Sequence, residues 1–326
     1  MTNKIIYDAK GRPDIMVAFT PEELGLPATL RGRPVKEYMI AKYPFTLIEG
    51  VPYSLPFQQP ATGIDFDTAV RLCESKGPGW HLITNDEWAA LARQSLANGT
   101  LPRGNTCNGS SHSHPEENGI KFAGGYGKTL TGSGPATWSH DHTPEGVMDL
   151  TGNVWEWVGG VRFLNGQLQV IPDNGAAAGA DQSRRSPEWT PICTPDGDAI
   201  YYIVEGGEIR LSTTPPEDTD WDGTRFADLD GDQIDVPDKL IELGLYPSAD
   251  FAGDDFFWLD TDGERLAVRG GGWLYGAYYG VFSFGGFSPR SYVSALVGGR
   301  SAFVCFSDIC DLDHLTPDHT GEEAEA

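Results

Sequence analysis

The 326-residue sequence predicts an α+β domain built from two helices, short irregular antiparallel strands and long loops. Three observations carry that expectation. First, 41 Gly and 23 Pro, about a fifth of the chain, punctuate it into short pieces. Second, helical periodicity is sustained in only two stretches, both in the first third of the chain. Third, the remainder breaks into short apolar runs bounded by Gly, Asn and Pro, the pattern of strands in a loop-rich fold. Hydrophobic residues at 39%, with 11% aromatics, suffice for a packed core. No period of 20–50 residues marks a repeat architecture.

In chain order, residues 1–40 mix strand-like pieces such as Ile15–Phe19 with turns and read as an N-terminal extension. The main domain is expected over 41–306. In Phe66–Glu74, Phe66, Ala69, Val70 and Cys73 form one apolar stripe. In Thr84–Leu96, Thr84 with Glu87 three residues on is a capping box, and Trp88, Leu91 and Ala92 share a face. A short third helix is expected after Pro237, ending at Gly244. Strands are expected at Val154–Val158, Leu168–Ile171, Ile200–Val204, Leu266–Arg269, Gly280–Phe284 and Ser301–Phe306. An acidic insertion occupies 183–262, and 307–326 reads as an acidic disordered tail.

The formal charge is −24, and two segments, 205–262 and 308–326, hold 21 of those net charges. So acidic a chain repels phosphate backbones and anionic membrane surfaces, which argues against nucleic-acid and lipid partners. The N-terminus lacks an apolar signal region, and no run approaches the ~20 apolar residues of a membrane span. The expectation is a chain made in the cytoplasm, without a signal peptide or membrane insertion. Five scattered cysteines without metal spacing read as free thiols, with a Cys305–Cys310 disulfide as the alternative.

Three segments carry a resemblance. His81-Leu-Ile-Thr-Asn-Asp-Glu-Trp resembles a helix start of the formylglycine-generating (sulfatase-modifying factor) group. Gly146-Val-Met-Asp-Leu-Thr-Gly-Asn-Val-Trp-Glu-Trp is similar to its Gly-Asn-Val-Trp-Glu-Trp segment. Val268-Arg-Gly-Gly-Gly-Trp, followed by Gly298-Gly-Arg300, is similar to its closing segments. Together they cover roughly residues 40–306 and imply a C-type-lectin-like fold of the formylglycine-generating subtype. Within the middle motif, Gly152 and Asn153 suit a turn with positive φ, and Trp155 and Trp157 project to one face of a strand.

Fold does not carry activity with it. The oxidase members use two cysteines just after the Arg-Gly-Gly segment, and here the matching positions are Tyr275 and Gly280. Sulfur-based oxidation is therefore unavailable there, and the nearest downstream cysteine is Cys305. The iron-dependent members need clustered histidines. The close pairs in this chain are His112 with His114 and His140 with His142, in loops where they read either as solvated side chains or as a metal site. A divergent metal-dependent enzyme acting through His140 and His142 is the alternative functional reading.

Between Tyr275 and Tyr292, four Tyr and three Phe fall in 18 residues, interleaved with Gly and Ser. That composition suits an adaptable contact surface, with rigid rings for area and small residues for fit. The segment also resembles the variable region of diversity-generating retroelement proteins, in which template adenines are mutated. An AAY codon rewritten at adenine cannot yield Lys, Glu, Gln, Met or Trp. Those five types make up 47 of the 326 residues, so the 31-residue window 274–304 should hold about 4.5, and it holds none. The resemblance implies a variable region over 268–304 with rewritten, ligand-contacting positions at Leu274, Tyr275, Tyr278, Tyr279, Gly285, Phe287, Ser288, Tyr292, Val293, Ser294 and Leu296. Trp273, Gly276, Gly280, Val281, Phe282, Arg290, Gly298, Gly299 and Arg300 read as fixed scaffold, with Arg300 bonding backbone carbonyls.

In the insertion, Asp218, Asp220 and Asp222 before Gly223 fit the opening of a calcium loop, but the twelfth position is Leu229 where a bidentate Glu is needed. Asp228, Asp230 and Asp232 form a second run. The readings are a calcium site or a solvated acidic loop. The functional expectation is a non-enzymatic protein that binds a protein or glycan receptor on a target cell through a hypervariable aromatic site. It would be phage-encoded and tail-associated, or displayed at a cell surface through partners.

Overall fold

The computed structural model describes residues 2–307, so the acidic tail beyond Ser307 lies outside the described residues. Two sheets organise the chain. The smaller runs in the order Thr2–Tyr7, Pro13–Phe19, Arg33–Ala41, Ser301–Phe306, Trp80–Leu82, with Thr29–Leu30 paired to Arg33–Ala41. The larger runs Glu208–Ser212, Tyr201–Glu205, Gln167–Val170, Trp155–Leu164, Glu264–Arg269, Phe284–Ser288, Phe256–Asp260, Trp221–Arg225. Strand Val297–Gly299 joins it in parallel against Trp155–Trp157. Few helices and many short strands on one core give the C-type-lectin-like fold of the formylglycine-generating subtype.

Both main helices form where their periodicity places them. Helix Phe66–Glu74 is capped by the Asp65 carboxylate, which accepts from Thr68 N, and buries Phe66, Ala69 and Cys73. Helix Asn85–Ala97 starts at the Thr84 box, and its Trp88 indole donates to Val281 O at 2.8 Å. The short helix after Pro237 spans Asp238–Glu242. A further turn, Pro21–Leu24, closes between a Thr20–Glu23 capping box and the left-handed Gly25. Its signal, Thr-Pro-Glu-Glu, is the same box read in Thr84 and Glu87.

The segment read from sequence as an N-terminal extension supplies strands to the small sheet. Pro13–Phe19 pairs with Arg33–Ala41, which in turn pairs with Ser301–Phe306 at the other end of the chain. The first forty residues therefore complete a ladder that the chain's end alone would leave open. The acidic insertion is also built into the fold, since Trp221–Arg225 pairs with Phe256–Asp260, and that strand pairs in parallel with Phe284–Ser288. Among the cysteines, Cys73, Cys107 and Cys193 are free. Cys305 is disulfide-bonded, which corrects the expectation of free thiols throughout. Cys305 is buried among Ile6, Met16 and Phe303, and the partner weighed from sequence, Cys310, lies outside the described residues.

Arg300 occupies the single residue between Val297–Gly299 of the large sheet and Ser301–Phe306 of the small one. It is fully buried, and its guanidinium donates to Glu156 of the large sheet, to Ala41 O of the small sheet and to Met148 O of a loop. Trp155 and Trp157 pack on the opposite face of the Glu156 strand, as alternation requires. The preceding turn has Gly152 at φ 72° and Asn153 at φ 63°, and Gly152 N donates to Gly270 O at 2.7 Å. The middle motif and the Arg-Gly-Gly segment thus clamp each other.

Candidate functional site: an aromatic concavity beside the Arg-Gly-Gly turn

From Trp273 the chain leaves the core and runs over the 105–112 loop, with Asn108 N donating to Trp273 O and Gly276 N to Thr106 O. A tight turn at Gly276–Tyr278 follows. Gly271, at φ 83°, lies so close under the Tyr279 ring that any Cβ there would collide with it. The ring is thereby seated directly on the Arg-Gly-Gly turn.

The expected strand Gly280–Phe284 forms instead at Phe284–Ser288. The cause lies 27 residues upstream, where the half-buried Asp255 carboxylate accepts from Phe282 N at 2.7 Å. Gly280 N donates to Ser283 Oγ and Ser283 N to Gly280 O, closing a turn over residues that would otherwise extend. Burial pushes the Asp255 carboxyl up to about 6, above the ordinary carboxylate range.

Tyr275, Tyr278, Tyr279 and Phe287 of the window line a concavity of about 610 Å³, together with Trp155, Trp221, Trp258 and Asp260. Trp155 and Tyr279 form its buried floor. Their rings meet at 5.3 Å and 80°, and Trp155 also meets Trp258 at 5.6 Å and 79°. Tyr275 packs on Tyr279 at 5.5 Å and 70°, while Tyr278 lies on Phe256 at 4.1 Å. The rim is open: Tyr275 is 60% exposed and Trp221 68%. Burial pushes the Tyr279 hydroxyl well above its ordinary range, so it stays protonated at any physiological pH.

Three lining residues come from the acidic insertion and were missed from sequence. In Phe256–Asp260 the period is two: Phe257 and Leu259 enter the core, while Phe256, Trp258 and Asp260 face outward. That alternation was legible, as was a lone Trp221 amid aspartates, but the ladder that sets them beside the window is non-local.

Of the remaining expected contact positions, Leu274, Val293 and Leu296 are exposed, and Tyr292 and Ser294 are half-buried. None of these lines the concavity, although Leu296 O accepts from Trp155 N at 2.8 Å. Three positions do not lie on an exposed face. Gly285 and Ser288 are buried in the central strand Phe284–Ser288, and Tyr279 is 6% exposed. A side chain at Gly285 would press on Phe287 and Val268.

The donor sets weighed for metals do not assemble. Among the described residues no three His, Cys, Asp or Glu side chains are placed to hold an ion. Asp220 and Asp222 turn back to cap the amides of Trp221 and Gly223, Asp230 caps Asp232 N, and Asp228 pairs with Arg225. With these turned away, Asp218 and Asp232 have no partner carboxylates converging on a common point. His140 is buried and accepts from Val147 N at 2.9 Å, and burial lowers its pKa to about 4. His142 Nε2 is engaged by Leu101 O, and His112 Nδ1 by Thr106 Oγ1. At Gly280, one of the two matched thiol positions, a Cβ of any kind would run into the Asp255 carboxylate. Cys107, a free and exposed thiol, lies between Thr106 and Asn108, whose backbones bond Gly276 and Trp273.

No helix among the described residues is long and apolar enough to cross a membrane. No curated protein matches the chain. Among solved structures it is similar to PvdO from Pseudomonas aeruginosa at 15% identity and TM-score 0.36, covering 94% of this chain and 99% of that one. It is also similar to the Major Tropism Determinant I1 variant at 13% identity and TM-score 0.34, covering 90% of this chain and 56% of that one. The model of the sulfatase-modifying factor enzyme 1-like domain matches residues 44–208, ending before the insertion's aromatic wall and before the window. That match takes in just over half of the chain, which belongs to the sulfatase-modifying factor enzyme 1-like family.

Proposed function

We propose that this chain is a non-enzymatic ligand- or receptor-binding protein that uses the family's fold as a scaffold for a hypervariable aromatic site. The observation that carries the reading is substitution in place. Where oxidase relatives carry thiols, this chain has an exposed tyrosine and a glycine that leaves no room for a side chain, and an open aromatic concavity stands beside them. The absence of five codon-excluded residue types across 274–304 supports diversification by a retroelement. A phage tail-associated protein that recognises a protein or glycan receptor on a target cell is the role that fits such a site. The domain then comprises 1–306, with the 183–262 insertion as one wall of the site and 268–304 as its variable part.

The test is adsorption of the labelled full chain to a panel of bacterial cells, compared with Tyr275→Ala/Tyr278→Ala/Tyr292→Ala. The reading expects saturable adsorption to some cells, lost in the variant at a nearly unchanged Tm. Equal adsorption by both proteins, or a variant that unfolds, contradicts it.

A further inference from the structure

We infer that the concavity takes an alkylammonium cation, a quaternary or methylated ammonium group presented by its ligand, rather than an anionic or neutral polar group. This rests on the reading of the concavity as a binding site and names the chemistry that it selects.

The first argument is ring geometry. Trp155 stands nearly perpendicular to Trp258, Tyr279 and Phe287, at 79°, 80° and 87°. A flat sugar face needs one coplanar platform, whereas rings in several orientations bound a corner. A rounded cation covered in methyl groups can meet several π faces in such a corner at once, and each face carries the negative side of the ring quadrupole.

The second argument is charge. No Lys or Arg lines the concavity. The two arginines of the window are both committed, Arg290 to Glu264 and Asp67, and Arg300 to Glu156. No guanidinium is left to receive a phosphate, sulfate or carboxylate. Asp260 is the one carboxylate on the lining, and it is paired with Arg265 at 2.8 Å. An aromatic lining with no basic side chain offers an anion nothing to pair with, while its ring faces attract a weakly hydrated cation.

The third argument concerns hydrogen bonding. A sugar buried in such a site needs several oriented donors and acceptors. The buried floor offers one hydroxyl, that of Tyr279, and the other polar groups of the lining are the Tyr275 and Tyr278 hydroxyls, the indole N–H groups and an Asp260 already paired with Arg265. An alkylammonium asks for none.

The experiment titrates the full chain with tetramethylammonium and choline chlorides, with 3,3-dimethylbutan-1-ol, the uncharged isostere of choline, and with methyl α-glucoside, followed by calorimetry and tryptophan fluorescence. The inference expects saturable binding of both cations and at least ~10-fold weaker binding of the isostere, the scale of a desolvated cation–π contact. It also expects Trp221→Ala and Tyr275→Ala, both at exposed positions, to weaken the cations at unchanged Tm. Isostere or glucoside binding as tight as the cations, and lost in the same variants, overturns the cation chemistry and leaves the binding site standing. No saturable binding by any probe also overturns the inference, and cell adsorption then judges the wider reading on its own. Choline attached to lipid vesicles against free choline separates a membrane headgroup from a soluble or protein-borne source.

Discussion

Arg300 Nη2 lies 2.8 Å from Glu156 Oε1, both side chains fully buried, and the pair joins the two sheets where the chain crosses between them. Removing one partner leaves a buried charge unmatched, so Arg300→Met should cost about 3–5 kcal/mol. The double variant Arg300→Met/Glu156→Met should cost less than the sum of the singles. Denaturant midpoints of the four proteins check this, and strict additivity would contradict it.

The eleven window positions should divide by burial. Tyr275→Ala and Val293→Ala should shift stability by no more than about 0.5–1 kcal/mol, because both are largely exposed. Tyr279→Ala removes the ring seated on Gly271 and should cost about 3–5 kcal/mol. Gly285→Ser, pressed against Phe287 and Val268, should cost about 1–3 kcal/mol. Thermal unfolding of the four variants measures the division.

His140 gives a pH dependence of definite sign. Burial lowers its pKa from 6.5 to about 4, so the neutral ring contributes stability above pH 6.5 that is lost as pH falls toward 4. His140→Gln does not titrate. Between pH 7 and pH 4 the wild type should lose roughly 2–4 kcal/mol relative to that variant. Because His140 is held by Val147 N, chelators should leave stability and cell adsorption unchanged, whereas a metal enzyme acting through His140 and His142 would respond.

Asp255 runs the opposite way. Its pKa is raised from 3.8 to about 6 by burial, so its contribution is fully present below pH 3.8 and is lost as pH rises through 6. Asp255→Asn keeps an acceptor for Phe282 N without the partly desolvated charge. Relative to wild type it should gain roughly 2–4 kcal/mol on going from pH 4 to pH 7.5. Guanidinium midpoints at the two pH values give the difference, and a loss instead of a gain would contradict the assignment.

What the sequence reveals here is local. Helix Phe66–Glu74 and the Thr84 box could be read from periodicity and caps, and the Trp155/Trp157 alternation from strand geometry. The role of Arg300 was readable as carbonyl binding, but its charged partner lies 144 residues away. What escaped depends on contacts that no local pattern encodes. The strand Phe284–Ser288 starts late because Asp255 holds the preceding turn. The wall formed by Trp221 and Trp258 exists only through a parallel pairing of the insertion with the window. Of the insertion's acidic side chains, Asp260 lies on that wall.

The central claim is that the window is a rewritten ligand-contacting surface on a fixed scaffold. The most direct measurement is the DNA sequence of the 268–304 coding segment and its flanks in independent isolates. The account predicts a near-copy of the segment, rich in AAY codons, beside a reverse transcriptase gene. It further predicts differences among isolates concentrated at Leu274, Tyr275, Tyr278, Phe287, Tyr292, Val293, Ser294 and Leu296, with Gly276, Gly280, Gly298 and Arg300 unchanged. No template copy, with differences spread evenly over scaffold and window, would contradict it.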